Sequence, residues 1–310
     1  VLHVLAVLAA AMLFGTTGTS QALGPDGTTP LSIGVMRMVI GGTGLAVLAF
    51  LLAWRHARRQ PADAPRPRLG LRPVALMVLT GICITVYQPL FFVGTARNGV
   101  AVGTVIALGS APILAGLLEW ALTRRVPSAV WMLATALATI GVVLLGFGGE
   151  AGGAGGTDPI GILGSIGAGA SFAVIANAQR RLLDAGWDPF TVVGAMGASA
   201  AAISVLILPF VDVSWLATPS GLTMALWLGF ATMAIAYVLF TWGLSGLTAA
   251  TAATLTLGEP LTASILGITV LGERLSLLAI LGLVVLVAGL ALLAWGSRAP
   301  RDPQPYALEG

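Results

Sequence analysis

Apolar residues in this chain come in runs of about twenty, separated by short intervals that carry glycine, proline or charge. A helix rises about 1.5 Å per residue, so each run spans the roughly 30 Å hydrocarbon core of a bilayer. Ten runs are read in this way: 1–20, 31–53, 73–95, 99–119, 129–147, 159–179, 189–209, 221–243, 248–271 and 276–296. The chain is therefore predicted to be an all-α membrane protein of about ten transmembrane helices. The first run begins at Val1 and ends near "SQAL", which also fits a signal peptide. It lacks a basic leading segment, so a span is the better reading. The segment 54–72, "WRHARRQPADAPRPRLGLR", is too polar to cross a membrane and is expected to be a solvent loop.

The polar positions orient these spans. Numbered alternately from a cytoplasmic N-terminus, the inner loops and the C-terminal tail hold Arg55, Arg58, Arg59, Arg66, Arg68, Arg72, Arg124, Arg125, Arg180, Arg181, Arg298 and Arg301. The opposite side keeps Arg97 and Arg274, and Arg37 lies inside a span. That distribution predicts both termini in the cytoplasm.

Composition adds to the picture. Only 9% of the 310 residues are charged and 57% are hydrophobic, whereas a soluble domain carries roughly a quarter of its residues as charges. The net charge of +3 comes from arginines in short loops, so a nucleic-acid partner is not expected. Arginine without any lysine, together with abundant Ala and Gly, suggests a GC-rich bacterial genome and hence a bacterial inner membrane. Cys83 stands alone inside an apolar run, which excludes a disulfide framework. His3 and His56 are too few and too far apart to suggest a metal cluster, and no cofactor is expected.

The two halves of the chain match each other. A shift of 148 residues places Ala101 on Ala249, Pro112 on Pro260, Ser128 on Ser276, Gly141 on Gly289, Gly81 on Gly229 and Phe92 on Phe240. A slightly different offset aligns "PLSIGV" at Pro30 with "PFTVVG" at Pro189. With five spans per half, the second half would enter the membrane upside down relative to the first. Two inverted five-helix repeats are a mark of secondary transporters, whose site lies between the halves.

The end of the second half, "LGEPLTASILGITVLGERLSLLAILGLVVLVAGLALL", resembles the EamA family of the drug/metabolite transporter superfamily: a proline, an apolar run, "LGE" followed by a basic residue, then a glycine-bearing last helix. The likeness extends over essentially the whole chain, though the first half has "LLEWALTRRVPS" where the family pattern would repeat the "GE". The resemblance implies one repeat at 1–147, a periplasmic linker at 148–158, a second repeat at 159–296 and a cytoplasmic tail at 297–310. It also implies a central cavity between the repeats, with spans five and ten as scaffold or oligomer contact, which leaves a homodimer open.

Glu259 is the first candidate for the site. It sits midway along the ninth span, where a charge costs on the order of 3 kcal/mol even on lenient insertion scales. Thr256 and Thr262 fall three residues to either side and would extend it into a polar stripe. Pro260 lacks an N–H and should kink or break the helix. Glu259 would bind a proton or a substrate amine, or else serve as a protonated structural carboxyl beside the kink. Pro112 is its counterpart, preceded by Ala111 in place of the glutamate, so any charge chemistry is one-sided. Tyr87 and Gln88, next to a further kink at Pro89, would line a cavity or tie helices together. Arg37, on a stripe with Gly34, Gly41 and Gly44, should face protein and attract an anionic group, or snorkel to the outer surface. Asn177 reads as interfacial; Tyr237 and Trp242 could line the eighth span or serve as packing or interfacial anchors. Glu119, Glu273 and Arg274 read as structural staples, with Glu119 pairing Arg124 or Arg125.

Enzyme readings are weak. "GLSG" at 243–246 resembles the nucleophile motif of rhomboid proteases, but Ser245 would need a membrane histidine as base. "GGEAGGAGG" follows no soluble strand and lacks a "GK[ST]" ending, so it is no phosphate cradle. The expectation is a secondary transporter of the inner membrane that exports amino acids or related small metabolites by alternating access. Proton coupling through Glu259 is open. Nucleotide-sugar or drug transport and a non-transporting membrane scaffold are the alternatives.

Overall fold

A computed structural model describes residues 1–59, 67–148, 158–272 and 274–296. The linker positions 149–157, the tail 297–310, Arg66 and Glu273 lie outside the described residues. Ten helices run through it: α1 (Leu2–Ala22), α2 (Pro30–Arg59), α3 (Leu71–Asn98), α4 (Val100–Thr123), α5 (Ala129–Gly148), α6 (Pro159–Asp184), α7 (Pro189–Ile207), α8 (Pro219–Leu244), α9 (Ala249–Val270) and α10 (Leu277–Gly296). Each is long and apolar enough to cross a membrane. No strand occurs among the described residues.

Local chemistry starts several of these helices. Pro159, Pro189 and Pro219 occupy the first helical turn, where the missing N–H costs nothing, and each follows a capping side chain. Asp158 accepts from the amides of Ile160 and Gly161, Asp188 from that of Thr191, and Thr218 from that of Gly221. Two helices are irregular. Within α8, residues Trp227–Ile235 wind as a π-helix. Within α9, the pieces Ala249–Leu255 and Gly258–Val270 are separated by a tight turn, in which the Leu257 amide bonds the Thr254 carbonyl at 3.1 Å and the Glu259 amide bonds that of Thr256 at 2.9 Å.

Large apolar side chains such as Leu163, Leu206, Val284 and Trp295 stand exposed on the outer surface. In water such a surface would aggregate; in lipid it is the ground state. Between helices, contact is made by small residues, which let backbones approach. A side chain added at Gly42 would begin 2.7 Å from the Gly197 carbonyl, so α2 and α7 touch backbone to backbone. α5 and α10 meet in the same way around Gly141 and Gly282.

The pattern of partners maps onto itself when helices 1–5 exchange with 6–10. α2 packs on α7 and α5 on α10; α6 packs on α3 and α4, as α1 packs on α8 and α9. Contacts at the helix ends set directions. His3, at the start of α1, has Nδ1 3.2 Å from the Trp242 carbonyl near the end of α8. Arg180, near the end of α6, reaches the carbonyl of Leu244 in the same region at 2.8 Å. The start of α1 and the end of α6 thus lie together, and these equivalent helices run in opposite directions. The same end of the bundle collects Arg55, Arg58, Arg59, Arg124, Arg125, Arg180 and Arg181, and is called the arginine-rich end below.

One sequence expectation is revised by these contacts and another gains a partner. Asn177 is not interfacial: it is buried, and its Nδ2 donates to the carbonyls of Ala115 at 3.1 Å and Ala173 at 3.0 Å, tying α6 to α4. Glu119 is bonded to a residue distant in sequence. Its Oε2 accepts from the Ala250 amide at 2.8 Å and so satisfies one of the unbonded N–H groups that open α9.

At the arginine-poor end, Arg97 Nη1 donates to Asp158 Oδ2 at 2.9 Å, and Asn98 exchanges two hydrogen bonds with the Asp158 backbone. The Arg97 guanidinium, then the Ile160 amide, hold the Asp158 carboxyl below the ordinary aspartate range. A depressed folded value means stability that is present above the unfolded value of roughly 4 and lost as pH falls through the folded one. The melting temperature of wild-type protein in detergent should therefore exceed that of Asp158→Asn at pH 7, with the gap closing as the pH drops below 4. A gap that is constant down to pH 2 would remove the charge from this tie.

Candidate functional site

Each helix that bears a polar group at mid-depth does so for a local reason. Arg37 lies two turns into α2, roughly 10 Å along its axis. Gly41, one turn further on, sits against the Gly229 carbonyl and Met233, so α2 lies close upon the π-helical part of α8. There the Thr232 carbonyl accepts from Arg37 Nη2 at 3.2 Å. π-Helical turns shift the register of backbone groups and recur at functional sites. Among the described residues, Arg37 Nε is buried with no hydrogen-bond partner.

Glu259 opens the second piece of α9, immediately before Pro260. α1 crosses over it through Gly15, where a side chain would begin 2.5 Å from the Glu259 carbonyl. The carboxyl, Arg37 and the hydroxyls of Tyr87 on α3 and Tyr237 on α8 act on one another electrostatically. No hydrogen bond or ion pair within 4 Å joins Arg37 to Glu259. Arg37, Tyr87 and Glu259 are half-buried. Aromatic rings wall the cluster: Phe14 lies 5.1 Å from Tyr237, Tyr87 stacks on Phe91 at 6.0 Å, and Phe240 bridges Tyr237 at 6.2 Å and Phe172 at 5.5 Å.

The structure therefore brings together Arg37, Tyr87 and Glu259 and leaves the other candidates outside. Gln88 turns away from Tyr87 and packs on Gly34, where it lines a separate cavity of about 170 Å³ between α2, α3 and α7 with Pro89, Phe92 and Ser204. Thr256 is buried and donates to its own helix at Ala253, 2.7 Å away. Thr262 lies against Gly15 of α1, and the turn at 256–257 interrupts the polar stripe that a continuous helix would have presented. The helices run unbroken through Pro89 and Pro112, whereas α9 breaks just before Pro260.

Sequence reasoning undervalued Tyr237 and overlooked Thr232. Tyr237 stands on α8, the repeat equivalent of the helix that carries Tyr87, and this was the available signal. A backbone carbonyl aimed by a π-helix leaves none. The rhomboid-like motif also looks different in space. His3 does reach the neighbourhood of Ser245, its ring 4.8 Å from that of Trp242, but Ser245 Oγ donates to the Trp242 carbonyl at 2.6 Å and not to the histidine. Among the described residues, no three His, Cys, Asp or Glu side chains gather as metal ligands.

Comparison with known proteins agrees with this architecture. The sequence model of the EamA-like transporter family matches the chain twice, at residues 1–147 and 159–295. A transporter of Bacillus subtilis (strain 168), the uncharacterized YwfM, is 39% identical over 300 residues, covering 97% of this chain and 95% of its own. A solved crystal structure superposes with a TM-score of 0.75 over 96% of this chain and 97% of the other at 19% identity, which establishes the shared fold.

Proposed function

The chain belongs to the EamA-like transporter family, and from that premise we propose that it exports amino acids or related small zwitterionic metabolites across a bacterial inner membrane. The observation that carries this reading is one guanidinium and one carboxyl inside the spans, within electrostatic range of each other but without a direct ion pair between them. Charges in that position are expensive, so they stand where a partner of opposite sign can complete them. A zwitterion supplies both partners at once: its carboxylate pairs with Arg37, whose Nε–H has no hydrogen-bond partner among the described residues, and its ammonium group meets Glu259. Tyr87, Tyr237 and Phe14 border the space and would favour the cationic end through their ring faces.

Transport proceeds by alternating access, with two inverted repeats rocking about this site. A proton and the substrate ammonium compete for Glu259, so uptake of a proton from outside displaces the substrate outward. The gathering of arginines at one end supports an orientation with both termini in the cytoplasm. A nucleotide-sugar site needs several cations for its phosphates; among the described residues Arg37 is the arginine at this depth.

The test compares amino acids in medium and cytoplasm of cells that overproduce wild type, Arg37→Gln or nothing, followed by efflux from proteoliposomes loaded with the compound that moves. Loss of charge-assisted hydrogen bonds to a carboxylate is worth about 1.5–3 kcal/mol, roughly 10- to 150-fold in affinity. Arg37→Gln should raise the half-saturating concentration by that factor while a carboxyl-free amine analogue is moved as well as before. If no amino acid moves with wild type, or if Arg37→Gln behaves as wild type, the reading fails and the scaffold alternative gains.

A further inference from the structure

The hydrogen bonds that join the two packing groups of this bundle are concentrated at one end. α3, α4 and α6 form one group; α1, α8 and the outer piece of α9 form the other. Arg180 on α6 crosses between them. Its Nη1 lies within hydrogen-bond reach of three carbonyls at the end of α8 and in the turn beyond, Leu244 at 2.8 Å and Ser245 and Leu247 at 2.9 Å each. Its Nη2 pairs with Asp184, one turn further along α6. A cation from a different helix thus joins carbonyls at the end of α8, of which that of Leu244 also accepts from the Leu247 amide at 3.2 Å.

One more bond crosses beside it, and a second ties the start of α9 to α4. Glu119 on α4 accepts from the Ala250 amide at the start of α9, and Thr241 on α8 donates to Gln179 Oε1 at 2.9 Å in a fully buried contact. All three lie at the arginine-rich end, below the Phe172–Phe240 contact. The other end holds open space, within the second group and beside α2 rather than between the two groups. A cavity of about 550 Å³ lies between α1, α8 and α9, lined by Thr16, Ser20, Thr223, Trp227 and Leu266 among others, and the smaller cavity beside Gln88 is at the same end.

α9 links the two groups. Its first piece, Ala249–Leu255, packs on α4 and α6, and its second, Gly258–Val270, packs chiefly on α1. The turn at Thr256–Leu257, where the chain passes from one group to the other, immediately precedes Glu259. We infer that Arg180 is a positioning residue of the transport cycle: it latches the end of α8 and the first piece of α9 to α6, and so keeps the site shut toward the arginine-rich end, with the break in α9 as the hinge on release. The inference rests on the alternating-access reading above, but it concerns which face is closed and by what, not which solute moves. A latch made of hydrogen bonds to backbone carbonyls suits this task. It is strong enough to hold one state, and on opening both sides find water at the membrane surface, so release leaves no unsatisfied charge.

The test is one-sided accessibility. In a Cys83→Ser background, Ala253→Cys places a reporter on the first piece of α9, at a position buried in this state. Right-side-out and inside-out vesicles are treated with a membrane-impermeant maleimide. Labelling from the arginine-rich face should be slow with Arg180 present and rise on the order of tenfold or more in Arg180→Gln, since several charge-assisted bonds are lost. Arg180→Lys, which keeps the charge but loses the planar fork, should fall between. Glu119→Gln, which weakens the neighbouring tie, should reproduce the one-sided rise and serves as the second route if Arg180→Gln does not reach the membrane. Labelling from the opposite face should not change. Unchanged labelling in both variants would mean that Arg180 closes nothing, and an equal rise from both faces would make it a general structural staple; either result overturns the inference. Because the readout needs no substrate, a one-sided rise without amino-acid efflux would leave the latch standing and remove the proposed substrate class.

Discussion

In proteoliposomes carrying Glu259→Gln, transport falls by roughly 30- to 700-fold and loses its dependence on pH, while the protein reaches the membrane in normal amount. The factor follows from truncating one member of a desolvated charge constellation, which costs about 2–4 kcal/mol. Four groups lie within electrostatic range of one another: Arg37 from α2, Tyr87 from α3, Tyr237 from α8 and Glu259 itself from α9. Of these, the carboxyl is the proposed proton carrier, since guanidinium and phenol ordinarily titrate far above neutrality. Glutamine keeps the shape and the hydrogen-bonding capacity but can neither attract an ammonium group nor carry a proton. Folding should not suffer, because a carboxyl in mid-membrane is a cost that the amide relieves. Efflux of a preloaded amino acid at pH 6, 7 and 8, set beside thermal melting of the purified protein, checks both halves of the statement. A mutant that transports with wild-type pH dependence would remove Glu259 from the mechanism; a mutant that fails to fold would make it a structural carboxyl.

The second large effect is on assembly. Gly141→Leu should destabilise the protein by about 3 kcal/mol, at the upper end of overpacking penalties. A side chain at Gly141 would begin 2.5 Å from the Leu286 amide nitrogen and 2.7 Å from the Gly282 carbonyl. These are backbone atoms and cannot swing aside, so α5 and α10 must separate along a contact that also includes Gly289 against Ala138. Gly18→Leu is the control: it replaces a glycine of α1 with nothing within 4 Å and should change stability by less than about 0.5 kcal/mol. Melting of the two variants in the same detergent gives the comparison. α5 and α10 contribute no group to the charged cluster, so whatever fraction of Gly141→Leu folds should transport at the wild-type rate per molecule. Equal stability of the two variants would show that the α5–α10 seam is not the close backbone contact described.

How much of this could be read without coordinates differs from residue to residue. Arg37 and Glu259 were legible singly, because a charge inside an apolar run of twenty has to be explained by an interior partner. That each helps explain the other was not legible, since 222 positions separate them along the chain. Tyr87 and Gln88 are neighbours in sequence but point about 100° apart on a helix. Only the packing of α2 against α3 at Gly34 shows that Tyr87 joins the charges and Gln88 does not. Thr256 and Thr262 were grouped with Glu259 on the assumption of a continuous helix, and the turn before Pro260 undid that grouping. Proline announced a disturbance in α9 as it did in α3 and α4, but the length and shape of the disturbance depend on neighbours: α9 breaks where it changes partners, while α3 and α4 keep theirs.

The amino-acid order by itself determined the class of molecule: ten apolar runs of membrane length, a repeat of five with aligned prolines and glycines, and a sharp division of arginines between two sides. These follow from the bilayer as solvent, which satisfies no backbone group and penalises every charge, so the pattern must be written into each span separately. The tertiary structure decided the rest: which helix faces which, the π-helical turn that offers the Thr232 carbonyl to Arg37, and the reach of Arg180 across to the end of α8. In lipid, apolar faces have no hydrophobic reason to prefer one neighbour over another. The choice falls to glycine contacts and a few buried hydrogen bonds between residues distant in sequence, and such pairings exist only once the bundle has assembled.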